Sequence, residues 1–181
     1  LLCHLFDFEE VRIHSKRLES RENFANKLSE DLKRPIKVTD DWENCILDAD
    51  IVVEASRLSK PEPLLKTEWI KKGALVIPYG TMSALEFSLP DIMDKFVMDD
   101  WGQAHGIFGA LREHIDKGKI TFETLHAELG EIVCGLKKGR EKNGETILFW
   151  HRGLSLSDIA LGHKILSKAK EIGVGQKLRF A

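Results

Sequence analysis

Apolar residues along this chain alternate between two kinds of run. Short continuous stretches, rich in Val and Ile and bounded by small or polar residues, read as strands: Glu10 to His14, Ala49 to Ser56, Gly73 to Gly80, Phe96 to Met98 and Glu145 to Trp150. Ile36 to Val38 makes a shorter extended piece. Between these runs apolar positions recur at helical spacing. Ser20 can cap a helix with Phe24, Ala25, Leu28 and Leu32 on one face, ended by Pro35. Asp40 or Asp41 opens a second helix, on which Trp42, Cys45, Ile46 and Ala49 share a face. Pro90 and Asp91 start a third. Trp101, His105, Phe108, Leu111 and Ile115 predict a helix stopping at Gly118, and Leu125, Leu129, Ile132, Val133 and Leu136 predict one from about Thr124. Asp158 opens a long helix closed by Gly173, with Ile159, Leu166, Ala169 and Ile172 inside. Leu1 to Phe8 reads as the last turns of a helix, and Lys177 to Phe180 as a terminal strand. Strands separated by helices imply a parallel sheet with crossover helices. Ile51-Val52-Val53, apolar without interruption, is expected to be covered on both faces.

A chain of 181 residues can form one domain or slightly more, and 43% hydrophobic content suffices for a core. A net charge of −2 gives no electrostatic case for nucleic acid or an anionic membrane. Cys3, Cys45 and Cys134 show no metal spacing and read as free thiols, with Cys134 buried on an apolar face. No apolar run approaches the roughly 20 residues of a membrane helix, so the expected setting is the cytoplasm.

Several of these pieces, in this order, resemble the ornithine cyclodeaminase and mu-crystallin family. They are the Val11-Arg12-Ile13 strand ending in Ser15-Lys16-Arg17, the run Ala49-Asp50-Ile51-Val52-Val53-Glu54-Ala55-Ser56, and the Gly73-Ala74 strand ending at Gly80. Leu129-Gly130-Glu131-Ile132-Val133 with Gly135, and Glu145 to Phe149 followed by Gly153-Leu154, continue the set. The resemblance implies an α/β fold: a partial Rossmann-like, doubly wound parallel sheet lacking its first strand. A C-terminal helix and strand would return to a dimerisation domain. Residues 1–153 would form the partial NAD(P)-binding domain and 154–181 the returning segment. The chain would begin just after a glycine-rich turn of its parent. The piece alone would then be inactive, with strands short of ladder partners. The resemblance also implies hydride transfer between a nicotinamide and an amino acid or its imine, in a homodimer.

Within that fold, Ser15, Lys16 and Arg17 end the strand that meets the adenosine ribose. No acidic residue stands there before Glu19, and a cationic pair suits a 2′-phosphate, so NADP is favoured over NAD. A solvated basic turn would read the same way. Ala55 and Ser56, then Gly80 and Thr81, end successive strands where ligands of open α/β sheets lie; ordinary turn chemistry is the alternative. Cyclodeaminases place a proton-transferring Asp in the Gly80 loop, where this chain has Thr81-Met82-Ser83-Ala84. Relatives carry a Ser-Val-Gly type segment against the nicotinamide; here it is His151-Arg152-Gly153. His151 is the candidate catalytic residue and Gly153 a cofactor contact, although His151 and Arg152 also fit a surface turn. Asp99, Asp100 and His105 lack a recognised metal spacing and read as a helix cap with a core-facing His. Three functions stay open: a dehydrogenase or reductase rather than a cyclodeaminase, a non-catalytic NADPH and small-ligand binder, and an interaction module that kept only the fold.

Overall fold

The computed structural model describes residues 1–56, 58, 60–79, 84–102 and 110–179. Its strands form two ladders, both parallel. In the smaller, β1 (Arg12–Ile13) pairs with β2 (Lys37–Val38), joined by α2 (Leu18–Leu32). A short helix, α1 (Leu2–Leu5), precedes them. After β2, Asp41 caps α3 (Trp42–Ile46), accepting from the Asn44 N–H at 2.7 Å.

The larger ladder has five strands: β3 (Ile51–Glu54), β4 (Leu75–Pro78), β5 (Lys95–Met98), β6 (Leu125–Glu128) and β7 (Ile147–Trp150). Their spatial order is β3-β4-β7-β5-β6, so the last strand among the described residues sits in the middle. Two 3-10 turns, Thr67–Trp69 and Leu89–Ile92, flank β4 in the chain. Helices α4 (Ala110–Asp116) and α5 (Leu129–Val133) lie in the connections around β6. One face of the sheet holds the core. Val52, Val76, Leu148, Trp150, Phe96 and Met98 meet Ile46, Leu65, Leu85, Leu89 and Ile120 there. Burying Leu148, completely enclosed, contributes about 1.5–3 kcal/mol.

The two ladders are tied side by side. At the start of β1, the Arg12 guanidinium donates to the carbonyls of Asn44 and Leu47, both at 2.7 Å. Those carbonyls lie just ahead of β3. Past the other end of β1, Lys16 lies 3.9 Å from Glu62, which follows β3. Both ladders therefore run the same way and share one carboxyl rim.

Several sequence expectations fail. The helix from Thr124 is instead β6 followed by α5: pairing of Phe96, Val97 and Met98 with residues 125–128 overrides the helical spacing. Ser20 is not the α2 cap. The helix has already begun at Leu18 with Arg17 as its N-cap, whose carbonyl accepts from Ser15 Oγ at 3.1 Å. Phe24 is exposed, leaving Ala25 as the buried residue of α2. Val53 is exposed as well, since β3 is an edge strand with one face open among the described residues. Cys134 is exposed at the end of α5. The long helix α6 (Ser155–Glu171) starts three residues earlier than expected and buries nothing. Ile159, Leu166 and Ile172 stand open on it, because no described element packs there. Residues 177–179 form no strand. No helix among the described residues is long and apolar enough to cross a membrane.

Candidate active site at the carboxyl rim

Parallel strands deliver all their carboxyl ends to one edge, where the last residue of each strand meets the first of its loop. Here that edge gathers Ser15 to Arg17 after β1, Ala55 and Ser56 after β3, Tyr79 after β4, Asp99 after β5 and His151 to Gly153 after β7. Gly80 and Thr81, expected beside them, lie outside the described residues, as does His105.

Lys16 and Arg17 are exposed at the rim while Ser15 is half-buried. The Lys16–Glu62 pair is loose and open to water, so it contributes little and leaves the ammonium accessible. At the end of β3, Glu54 is buried and its carboxyl accepts from the Ser56 N–H at 2.5 Å. Burial pushes its pKa up, and that hydrogen bond only partly opposes the shift. Ala55 is exposed beside them, and its small methyl side chain leaves the backbone accessible.

The centre of the rim is the most organised part. Tyr79 bridges to His151 across β4 and β7, and their rings lie 4.9 Å apart. Phe149 flanks the same imidazole at 5.7 Å. Beneath them Asp99, its side chain 2% exposed, accepts three hydrogen bonds. His151 Nδ1 lies 3.0 Å from Oδ1, and the N–H groups of Arg152 and Gly153 donate to Oδ2 at 2.7 Å each. Gly153 has φ +95°, a left-handed conformation that lets two successive amides converge on one oxygen.

The structure thus brings Ser15, Lys16, Arg17, Ala55, Ser56, His151 and Gly153 to one rim. Asp99 was read from the sequence as a helix cap; it is instead the anchor of the His151 loop. The available signal was its place at the end of an apolar strand, where open sheets hold their ligands. Glu54 and Tyr79 stand in the same kind of place, the first closing β3 and the second directly following β4.

The profile of the ornithine cyclodeaminase/mu-crystallin family matches residues 1–173. The chain belongs to this family. It is 29% identical over 184 residues to the alanine dehydrogenase of Archaeoglobus fulgidus, covering 99% of this chain and 55% of that protein. The Thermococcus litoralis Δ1-pyrroline-2-carboxylate reductase, solved with NADH and L-proline, superposes with a TM-score of 0.85 at 28% identity, covering 98% of this chain and 55% of that one. An archaeal alanine dehydrogenase dimer with bound NAD superposes at 0.83 and 28%, covering 99% and 55%. The chain therefore spans about half the length of the curated relatives it matches. Its fold is the Rossmann-like α/β fold of these enzymes.

Proposed function

We propose that the whole protein transfers hydride between a nicotinamide dinucleotide and the α-carbon of an amino acid or its imine. The observation that carries this reading is the convergence of five strand ends on one rim in a chain of this family. The residues present fit a dinucleotide: open cations follow β1, and the small residues Ala55 and Ser56 follow β3. When bound, the nicotinamide supplies or accepts the hydride. Lys16 and Arg17 hold the adenosine end, and the absence of a carboxylate there before Glu19 favours a 2′-phosphate, hence NADP. Ser15, Ala55, Ser56, Gly80, Thr81 and Gly153 shape the cleft, and His151 faces the substrate. The run Thr81-Met82-Ser83-Ala84, without the Asp that cyclodeaminases carry in this loop, favours a reductase or dehydrogenase over a cyclodeaminase. The open apolar face of α6 and residues 154–181 would pack in the dimer-forming part, as supported by the dimeric archaeal relative.

The test is titration of the whole protein with NADPH and NADH, followed by absorbance at the nicotinamide band with Δ1-pyrroline-2-carboxylate. We expect tighter NADPH binding and oxidation of NADPH by the imine. Replacing Lys16 and Arg17 with Ala should weaken NADPH roughly 10- to 100-fold and NADH far less, the value of one charge-assisted phosphate contact. Failure to bind either nucleotide would overturn the proposal. Tight binding without turnover would favour the non-catalytic binder.

A further inference from the structure

The trio beneath His151 does more than close a loop. An ionised carboxylate only accepts hydrogen bonds, and Oδ2 of Asp99 already receives two backbone N–H groups. The remaining oxygen, 3.0 Å from His151 Nδ1, is satisfied by an Nδ1–H. Turning the carboxyl away would forfeit contacts to two amides fixed by Gly153. Tyr79 and Phe149 meanwhile limit rotation of the ring. The imidazole is held with Nδ1 inward and Nε2 outward. Its side chain is 33% exposed, and among the described residues Nε2 has no hydrogen-bond partner.

Resting on the imine-reduction reading above, we propose that Asp99 is a positioning residue that fixes the His151 tautomer, so that Nε2 exchanges the substrate proton. The balance is complete. The imine carbon gains the hydride from the reduced nicotinamide, and the imine nitrogen gains a proton from Nε2 of the imidazolium. The C=N π bond becomes a C–H and an N–H bond. The ring is left neutral with Nδ1–H still on Asp99, and solvent restores the proton at the open Nε2. Amino-acid oxidation runs the same proton in reverse. The titratable groups placed against the ring are Asp99 from the end of β5 and Tyr79 from the end of β4, with Arg152 next in the chain.

This is tested on the whole protein carrying 15N-labelled histidine. The ring signals of His151, identified by their loss in His151→Gln, should report the Nδ1–H tautomer at pH values where the ring is neutral, with or without nucleotide. Asp99→Asn should move the population toward Nε2–H. It should also lower kcat for imine reduction roughly 10²- to 10⁴-fold, the usual value of a positioned acid, with KM for NADPH changed less than about threefold. His151→Gln should lose kcat to the same degree. An Nε2–H tautomer in the unmodified protein, or undiminished kcat in His151→Gln, would overturn the proposal even if Asp99→Asn fails to fold. The tautomer readout needs no bound nucleotide, so it separates this failure from failure of the nucleotide reading.

Discussion

Gly73, just before β4, lies against the turn that leads into β7. Its φ is +86°, and a Cβ placed there would lie 2.6 Å from the Asn143 carbonyl oxygen and 3.5 Å from the Gly144 Cα. The contact cannot be relieved by swinging a side chain, because the opposing atoms are backbone. That backbone is itself held: the Gly73 N–H donates to Thr146 Oγ1 at 2.9 Å, and the Thr146 N–H donates to Asp94 at 2.7 Å. Gly73→Ala therefore carries two costs. A left-handed backbone with a Cβ costs about 1–2 kcal/mol, and forcing extra atoms into a packed site costs about 1–3 kcal/mol. Their sum, about 2–5 kcal/mol, corresponds to a fall in Tm of roughly 4 to 20 °C for a protein of this size. Gly118→Ala is the matched control. Its φ is +68° but nothing lies within 4 Å of the new Cβ, so only the backbone cost of about 1–2 kcal/mol applies. Urea unfolding of both variants, with slopes checked against the parent, measures the difference. Equal losses in the two variants would refute the reasoning, since the backbone contact would then carry no cost.

Two carboxylates give opposite pH signatures. Burial raises the folded pKa of Glu54 above its usual 4.5, so the unfolded chain releases that proton first and stability falls as pH rises past about 4.5. Glu54→Gln should unfold at higher temperature than the parent at pH 7 and match it near pH 4; a variant no more stable at pH 7 would contradict this. Glu145 behaves in reverse. Its carboxylate accepts from the Glu141 N–H at 2.8 Å, from Lys142 and from Lys95, which lowers its pKa from 4.5 to about 2. The stability it provides is complete above about pH 4.5 and is lost as pH falls toward 2. Glu145→Gln should flatten the Tm-versus-pH curve across that window, and an unchanged curve would count against the assignment.

The four strands β3, β4, β5 and β7 were legible because each is a short apolar run between small or polar residues. The rim followed from them, since strand ends in a parallel sheet need only the order of elements. β6 was hidden because residues 125–136 carry a helical period that tertiary pairing overrides in its first four positions. One local clue stood there: Glu131 is three residues beyond Glu128 and accepts from its N–H at 3.0 Å, marking the helix start at Leu129. The exposure of Ile159 and Leu166 was illegible, because periodicity shows which residues share a face and not whether anything covers it. The role of Asp99 depends on residues 52 to 54 positions later in the chain, a separation that no local pattern records.

The placement of β7 has a consequence for biosynthesis. Leu75 and Val76 on one side, and Lys95 to Met98 on the other, find their shared partner in residues 147–150. While the polypeptide is being made, two half-sheets wait with open inner edges until that segment emerges from the ribosome. Assembly is thereby deferred until residues 147–150 have been made. The unpaired inner edges are exposed to wrong pairing in that interval, and a stop codon just before Ile147 would release a product that cannot join its halves.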